Sequence, residues 1–304
     1  MVTTTWISCN ACGADSFKEL SEVDGWHIGQ CSNCSLIYVN PVPYFEPDAA
    51  FSEKSLEFQY TGYMYENLAA VLDFEVSQLQ RQFQRVAALM GNGAPAGGGR
   101  YLDIGCGSGV SVRAAADLGW EAVGTDLDPE LIRLGKEELG VDLRCGHLLD
   151  LDLGERQFEF IRLRDVIEHL PNPLEVLLEI KRLLAPKGTL LIVTPNEMGL
   201  PTQLRLLFGK RDRVATVVPP HHLHGFTQRT LTRILDRAGF DIHEVDSTTP
   251  VDPAYVTSNN MRSAHNIAYS LVWQGAKAIN MGSVLFGWAG KREESVQSDN
   301  VAGR

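Results

Sequence analysis

Three groups of residues carry chemistry by their types and spacing. The first is Cys9-x-x-Cys12, followed after 18 residues by Cys31-x-x-Cys34. Each pair puts two thiolates on one tight turn, and the spacing matches a four-cysteine zinc site whose ion closes the loop between the knuckles. A segment this short cannot build a core unaided, so the metal would stand in for one. A closed four-thiolate site keeps no open coordination position. Cys9, Cys12, Cys31 and Cys34 are therefore expected to hold a structural zinc ion, with an iron–sulfur or redox centre as the alternative.

The second group is Asp103-Ile104-Gly105-Cys106-Gly107-Ser108-Gly109, at a strand-to-helix turn. Glycines there let the backbone approach a ligand and aim N–H groups and a helix start at it. The dinucleotide pattern G-x-G-x-x-G fails, because Val110 occupies its last position. A second acid, Asp126, closes the next strand 21 residues after Gly105. An acid at that distance accepts hydrogen bonds from ribose hydroxyls. Asp103 is expected beside a cation rather than a pyrophosphate. Both details suit S-adenosylmethionine (SAM), which has a ribose, an ammonium and a sulfonium but no phosphate.

The third group is Pro219-Pro220-His221-His222-Leu223-His224-Gly225-Phe226-Thr227. Histidine is the side chain whose ordinary pKa lies nearest neutrality, which suits a general base. The loop is expected off the C-terminal strand ends, where open α/β sheets bind ligands. His222 is expected to be the base and His224 the next candidate. The competing reading is that these histidines cap or pack the following helix. A metal held by two or three of them is disfavoured, because no carboxylate lies close in sequence.

The elements that must position these groups are legible as period and punctuation. Leu68, Val71, Leu72, Val76, Leu79, Phe83, Val86 and Leu89 recur at helical steps. The breaker-rich run Gly91–Gly99 follows. Strands are predicted at Tyr101–Ile104, Ala122–Thr125, Val141–Arg144, Phe158–Leu163, Thr189–Val193 and Phe240–Val245. Helices are predicted at Val110–Leu118, Pro129–Leu139, Pro173–Leu184 and Gln228–Ala238. Short apolar strands alternating with helices imply a mostly parallel sheet covered on both faces. Residues 197–226 read as an insertion, Asn259–Ile279 as a helix, Gly282–Trp288 as an edge strand and the tail from Arg292 as disordered. Cys106 and Cys145 read as buried thiols. The expected organisation is a zinc-binding module at 1–43, an aromatic lid and helical linker at 44–99, a catalytic domain at 100–290 and a tail at 291–304.

Several of these motifs in order resemble those of class I SAM-dependent methyltransferases, over about Arg100 to Val245. Asp103–Gly109 resembles the family's first motif and Gly124-Thr125-Asp126 its ribose-binding motif. Arg164-Asp165-Val166-Ile167-Glu168-His169-Leu170 resembles the segment ending its fourth strand. Leu184–Leu190, followed by Thr194-Pro195-Asn196, resembles its turn and fifth strand. The segment at His222 resembles the "His-Leu-x-x-Phe-Thr" stretch of bacterial enzymes of sugar and natural-product pathways. The resemblance implies an α/β fold, a doubly wound Rossmann-like sheet of seven strands, beside the small zinc ribbon. It also implies cofactor contacts from Asp103, Gly105, Cys106, Gly107, Gly109, Asp126, Leu127, His147, Leu148 and Arg164. His147 departs from the pattern, since relatives usually carry Asp after the glycine at 146; backbone groups at Leu148 would then hold the adenine.

Charge limits the partners. The whole chain sums 27 basic against 38 acidic residues, or −11, which argues against a nucleic-acid partner. Within residues 1–40, Lys18 alone opposes Asp15, Glu19, Glu22 and Asp24, a balance of −3. Four thiolates with one Zn²⁺ add roughly −2 more, and a phosphate backbone would be repelled. No apolar run is long enough to span a bilayer, and the N-terminus lacks a secretory signal, so a cytoplasmic protein is expected. Residues 201–237 run the other way: Arg205, Lys210, Arg211, Arg213, Arg229, Arg233 and Arg237 against Asp212 and Asp236 give +5. A phosphate clamp for a nucleotide-linked sugar or a solvated helix face explains that run. Tyr60, Tyr63 and Tyr65 are candidates for a lid over SAM. The reading is a SAM-dependent methyltransferase acting on a small molecule, a sugar, nucleotide-linked sugar or other biosynthetic intermediate, with His222 taking the acceptor's proton. Its rivals are a zinc-ribbon RNA methyltransferase and a catalytically silent SAM-binding scaffold.

Overall fold

The computed structural model describes residues 3–43, 67–91, 98–154, 157–200, 202–204, 216–248, 276 and 279–292. The N-terminal module opens with β1 (Thr4–Thr5) and continues through β2 (Phe17–Val23), β3 (Trp26–Cys31), β4 (Ile37–Val39) and β5 (Val42–Pro43). A long helix α1 (Leu68–Met90) follows. Strand and helix then alternate through β6 (Arg100–Ile104), α2 (Val110–Asp117), β7 (Glu121–Asp126), α3 (Pro129–Leu139), β8 (Asp142–Cys145), β9 (Phe158–Arg164), α4 (Pro173–Leu183) and β10 (Leu184–Pro195). The chain closes with β11 (His224–Gly225), α5 (Gln228–Arg237), β12 (Phe240–Thr248) and β13 (Val284–Lys291).

Local chemistry sets these boundaries. Asp128 caps α3 by accepting from the amides of Glu130 and Leu131, Pro129 opens the first turn, and Gly140 in the left-handed region ends it. A reciprocal Thr227–Thr230 capping box starts α5.

The large sheet has seven strands in the order β12-β13-β10-β9-β6-β7-β8. β10, β9, β6, β7 and β8 run parallel, and β13 runs antiparallel to both of its neighbours. This is the doubly wound α/β sheet expected from the alternation of elements. One detail differs from expectation. The strand near Gly282–Trp288 lies second from the edge, and β12 forms the edge. Its residues Leu285, Trp288 and Ala289 are buried, which suits a strand flanked on both sides.

Layers of apolar side chains cover both faces. Leu102, Ile161, Leu163, Leu190 and Ile192 pack with Leu177 and Ile180 of α4 and Leu231 and Ile234 of α5. Tyr101, Phe160, Leu191 and Trp288 pack with Leu79 and Val86 of α1 and with Ala114 and Ala115 of α2. Burying so much apolar surface on two faces at ~25 cal/mol per Å² is what holds the central strands inside.

The N-terminal module is joined to this body by backbone as well as by packing. Its sheet has the order β11-β4-β3-β2, so the His224–Gly225 strand completes it, with His224 opposite Tyr38 and Gly225 opposite Ile37. The Val39 amide donates to the Leu223 carbonyl at 2.9 Å. Arg237 of α5 donates from Nη1 to the carbonyls of Cys9 and Asn10, each at 2.8 Å. Cys9, Cys34, Leu36 and Tyr38 share one apolar cluster with α4 and α5. Among the described residues, no helix is long and apolar enough to cross a membrane.

Candidate functional site

The glycine turn leaves the C-terminal end of β6 with Gly105, Gly107 and Gly109 at φ of +71°, +55° and +80°. A side chain is strained in that region. At Gly105 a Cβ would also come within 2.2 Å of Val166 Cγ2, so this backbone sits directly against the segment that follows β9. The amides of Gly105 and Cys106 donate to the Thr125 carbonyl at 2.8 and 3.0 Å. Asp126, at the end of β7, accepts from the Gly107 amide at 2.8 Å and from the Asp128 amide at 2.9 Å. Burial nonetheless raises its pKa above the usual carboxylate value.

Asp103 is buried beneath the turn, and the cation beside it is one of the chain's own. Arg162 donates to it from Nε and Nη2, both at 3.1 Å, and the Ser111 hydroxyl donates as well. The third arm of Arg162 reaches Glu75 of α1 at 2.6 Å, and Arg164 reaches the other Glu75 oxygen at 3.3 Å. Burial alone would raise Glu75, but these two guanidinium groups pull it below its ordinary value. Two carboxylates and two arginines thus tie α1 to the strands carrying the turn.

The remaining predicted cofactor residues line the same rim. Leu127 is half-buried, and its carbonyl accepts from the Cys145 thiol at 3.8 Å. Cys145 itself is exposed, not buried as expected, because β8 is the edge strand on this side. The Cys106 thiol is pushed well up by burial. His147 caps the turn Leu148–Asp150, its Nδ1 accepting from the Leu149 amide at 3.3 Å. That capping role explains how histidine replaces aspartate there. Leu148 is buried and Arg164 half-exposed.

The histidine loop meets the end of β9. His222 Nδ1 lies 2.8 Å from the Thr216 carbonyl, and His169 Nδ1 lies 2.9 Å from the His221 carbonyl. A carbonyl only accepts, so each ring carries its hydrogen on Nδ1 and keeps a lone pair on Nε2. The two rings meet edge to face with centroids 4.6 Å apart. Beside them Glu168, 1% exposed, accepts from the Thr194 hydroxyl at 2.8 Å through Oε2. Its Oε1 has no hydrogen-bond partner among the described residues and lies 3.9 Å from His169 Nε2. Burial and the nearby Asp165 push Glu168 up to about 8. Burial and His222 push His169 down to about 4. Asp165, the residue after β9, adopts a left-handed φ of +54°, a conformation that costs about 1 kcal/mol and concentrates at functional sites.

His224 is elsewhere. It is 1% exposed, stacked 6.3 Å from Tyr38 and 5.8 Å from Phe226, with neither ring nitrogen partnered among the described residues. Burial pushes it down to about 3. The second base candidate is therefore an interior ring at the junction of module and domain, the packing alternative considered for this loop.

The four module cysteines converge with their sulfurs within 4.8 Å of one another, Cys9 to Cys34 and Cys12 to Cys31 each at 3.5 Å. Tetrahedral Zn–S bonds of about 2.3 Å put sulfurs roughly 3.8 Å apart, so this donor set fits the ion.

Sequence reasoning brought His222, Asp103 and Asp126 to this edge but missed Glu168 and His169 as partners of His222. Their signal was present as adjacent Glu and His at the end of a strand. The expected absence of a nearby carboxylate held only along the chain, not across it. Glu75 and Arg162 were also missed. Tyr60, Tyr63, Tyr65, Arg205, Lys210, Arg211 and Arg213 lie outside the described residues. Of the rest of the basic run, Arg229 and Arg233 are exposed on α5, and Arg237 is engaged with the first cysteine knuckle.

Comparison with known proteins extends this geometry. A family model described as a methyltransferase domain matches residues 75–245. A ubiquinone biosynthesis O-methyltransferase of Xanthomonas campestris is 31% identical over 137 residues, 42% of this chain and 56% of that protein. A protein of Mycolicibacterium smegmatis named as an S-adenosylmethionine-dependent methyltransferase is 30% identical over 145 residues, 47% of this chain and 52% of that protein. The chain thus spans little more than half the length of these relatives. Among solved structures, the complex of the Haloferax volcanii Trm112 methyltransferase activator with a methyltransferase matches with a TM-score of 0.54 at 16% identity, covering 80% of this chain and 100% of the other. An S-adenosylmethionine-dependent methyltransferase of Clostridium acetobutylicum matches with a TM-score of 0.50 at 10% identity, covering 78% and 99%. At such identities the structures share the fold.

Proposed function

The chain belongs to the methyltransferase-domain family, and from that premise we propose that it transfers the methyl group of SAM to a small-molecule acceptor. The observation that carries this reading is the meeting of two groups on one sheet edge. The glycine turn with Asp126 lies against Val166, and the Glu168–His169–His222 cluster begins two residues further on.

SAM supplies an activated methyl group, so what the protein must add is alignment, water exclusion and, for a hydroxyl acceptor, a place for the proton. In this reading Asp126 accepts from the ribose hydroxyls. The turn amides and Leu127, His147, Leu148 and Arg164 line the nucleoside, with Cys106 beneath. His222 Nε2, its tautomer held by the Thr216 carbonyl, takes the acceptor's proton. The acceptor oxygen forms its bond to the methyl carbon as the carbon–sulfur bond breaks, and the bonding pair stays on sulfur. The O-methyltransferase names of the relatives support an oxygen nucleophile. Within that class the His222–Thr227 segment supports a sugar hydroxyl, free or nucleotide-linked. An intermediate of ubiquinone biosynthesis is the competing acceptor. The acidic module argues against RNA.

We assign Zn²⁺ to Cys9, Cys12, Cys31 and Cys34, in a structural role.

Titration calorimetry with S-adenosylhomocysteine and transfer of labelled methyl to a panel of both acceptor classes test the proposal together. Asp126→Ala is expected to weaken cofactor binding at least ~10-fold. His222→Ala is expected to lower kcat by about 10²- to 10⁴-fold with cofactor affinity unchanged. Undiminished transfer by His222→Ala, or no heat from the wild-type protein, would overturn it.

A further inference from the structure

The Glu168–His169–His222 cluster is more elaborate than a lone proton acceptor requires. Three ligand-type atoms, one ring nitrogen of each histidine and a Glu168 oxygen, lie within 4.8 Å of one another, with His169 Nε2 3.9 Å from Glu168 Oε1. Each is oriented from behind: His169 by the His221 carbonyl, His222 by the Thr216 carbonyl and Glu168 by the Thr194 hydroxyl. An imidazole whose far nitrogen is anchored to a carbonyl, beside a carboxylate that is itself hydrogen-bonded, is the usual outer support of a metal ligand. The remaining Glu168 oxygen is fully buried, faces the imidazole of His169 and meets no donor among the described residues. A buried carboxylate oxygen without a donor is costly, and a cation is the partner that would satisfy it. Asp165 adds a second acidic group beside it.

We propose that Glu168, His169 and His222 form a binding site for one divalent transition-metal cation, on the acceptor side of the cofactor turn. Two imidazoles and one carboxylate grouped on one side suit manganese, iron or zinc and leave coordination positions open. Ligand bonds of roughly 2.1 Å put neighbouring donor atoms about 3.0–3.4 Å apart, so the 3.9 Å between His169 Nε2 and Glu168 Oε1 would shorten by under about 1 Å on binding. The role of the site rests on the acceptor reading above. A cation on His222 Nε2 uses the lone pair that otherwise takes the proton. In the loaded state the acceptor hydroxyl would bind the cation, which lowers its pKa, and its proton would leave to water.

Binding of Mn²⁺ alone to the full chain, followed by electron paramagnetic resonance, tests the site without any acceptor. Manganese prefers N and O donors and leaves four thiolates to zinc. One Mn²⁺ per chain is expected. Glu168→Gln, which keeps the buried shape, and His169→Ala should each weaken binding at least ~10-fold. Thr194→Val removes only the supporting hydroxyl and should weaken it roughly 10-fold, while Asp126→Ala should bind as the wild type does. No bound Mn²⁺, or binding indifferent to Glu168→Gln and His169→Ala, would overturn the proposal. Because the readout contains no methyl transfer, a failure of the acceptor reading leaves this result standing. Equally, His222-dependent transfer by a chain that binds no Mn²⁺ would retain the base and remove the metal.

Discussion

Replacing His224 by phenylalanine is expected to make the protein more resistant to acid. The ring is 1% exposed, lies between Tyr38 and Phe226, and has no partner for either nitrogen among the described residues. Burial lowers its pKa from 6.5 to about 3. Between those two values the unfolded chain binds a proton that the folded chain refuses. The wild-type protein therefore loses stability as pH falls through this window, and His224→Phe removes that loss. At about 1.4 kcal/mol per pH unit, the loss at pH 5 is roughly 2 kcal/mol. Urea unfolding followed by tryptophan fluorescence, at pH 7 and pH 5, measures it in both proteins. The informative quantity is the difference between the two pH values. A packing change from the larger apolar ring is the same at both pH values, and the other titrating groups are the same in both proteins, so both drop out of the mutant-minus-wild-type difference compared between the two pH values. His224→Phe should gain about 2 kcal/mol more at pH 5 than at pH 7. An unchanged pH dependence would refute the reasoning and mean that the native ring is protonated or hydrated.

Two further perturbations probe what holds the site. Glu75→Gln should cost about 2–3 kcal/mol in urea unfolding at neutral pH, because it weakens the buried partner of Arg162 while Asp103 remains; Arg164→Ala, at a half-exposed position, should cost under about 1 kcal/mol. Glu75 has a depressed folded pKa, so its contribution is present above the unfolded value and fades as pH falls through the folded one. Arg237→Ala removes both hydrogen bonds that Nη1 donates to the Cys9 and Asn10 carbonyls. It should cost about 1–3 kcal/mol and speed the transfer of zinc to a chromogenic chelator, and an unaltered rate would show that α5 does not support the knuckle.

Much of the architecture could be read along the chain. Helix α3 was expected at Pro129–Leu139, where Asp128, Pro129 and Gly140 mark its ends. The six predicted strands all form, because short apolar runs between breakers have few other options. The pairing of β13 inside the sheet was not readable, since a strand's neighbours depend on contacts between residues far apart in sequence. Within the site, Asp126 and the three glycines were legible because they lie at the C-terminal ends of two consecutive parallel strands, β6 and β7. The meeting of Glu168 with His222 was not, because 54 positions separate them.

The order of residues alone determined which short-range geometries were available: glycines able to take left-handed φ after Asp103, paired thiols on tight turns, and alternating apolar runs suited to a covered sheet. These depend on neighbours a few bonds apart. Only the tertiary structure decided the identity of each side chain's partner. It set Arg162 as the cation for Asp103, sent His224 into the interior while its neighbour His222 stayed at the edge, and joined the cysteine module to the domain through β11. The physical reason is that burial and long-range packing choose among side chains of identical type. Two histidines separated by one residue on an extended strand would point to the same face, but His222 precedes β11, so the two rings part, and what each meets is set by β4, β9 and β10.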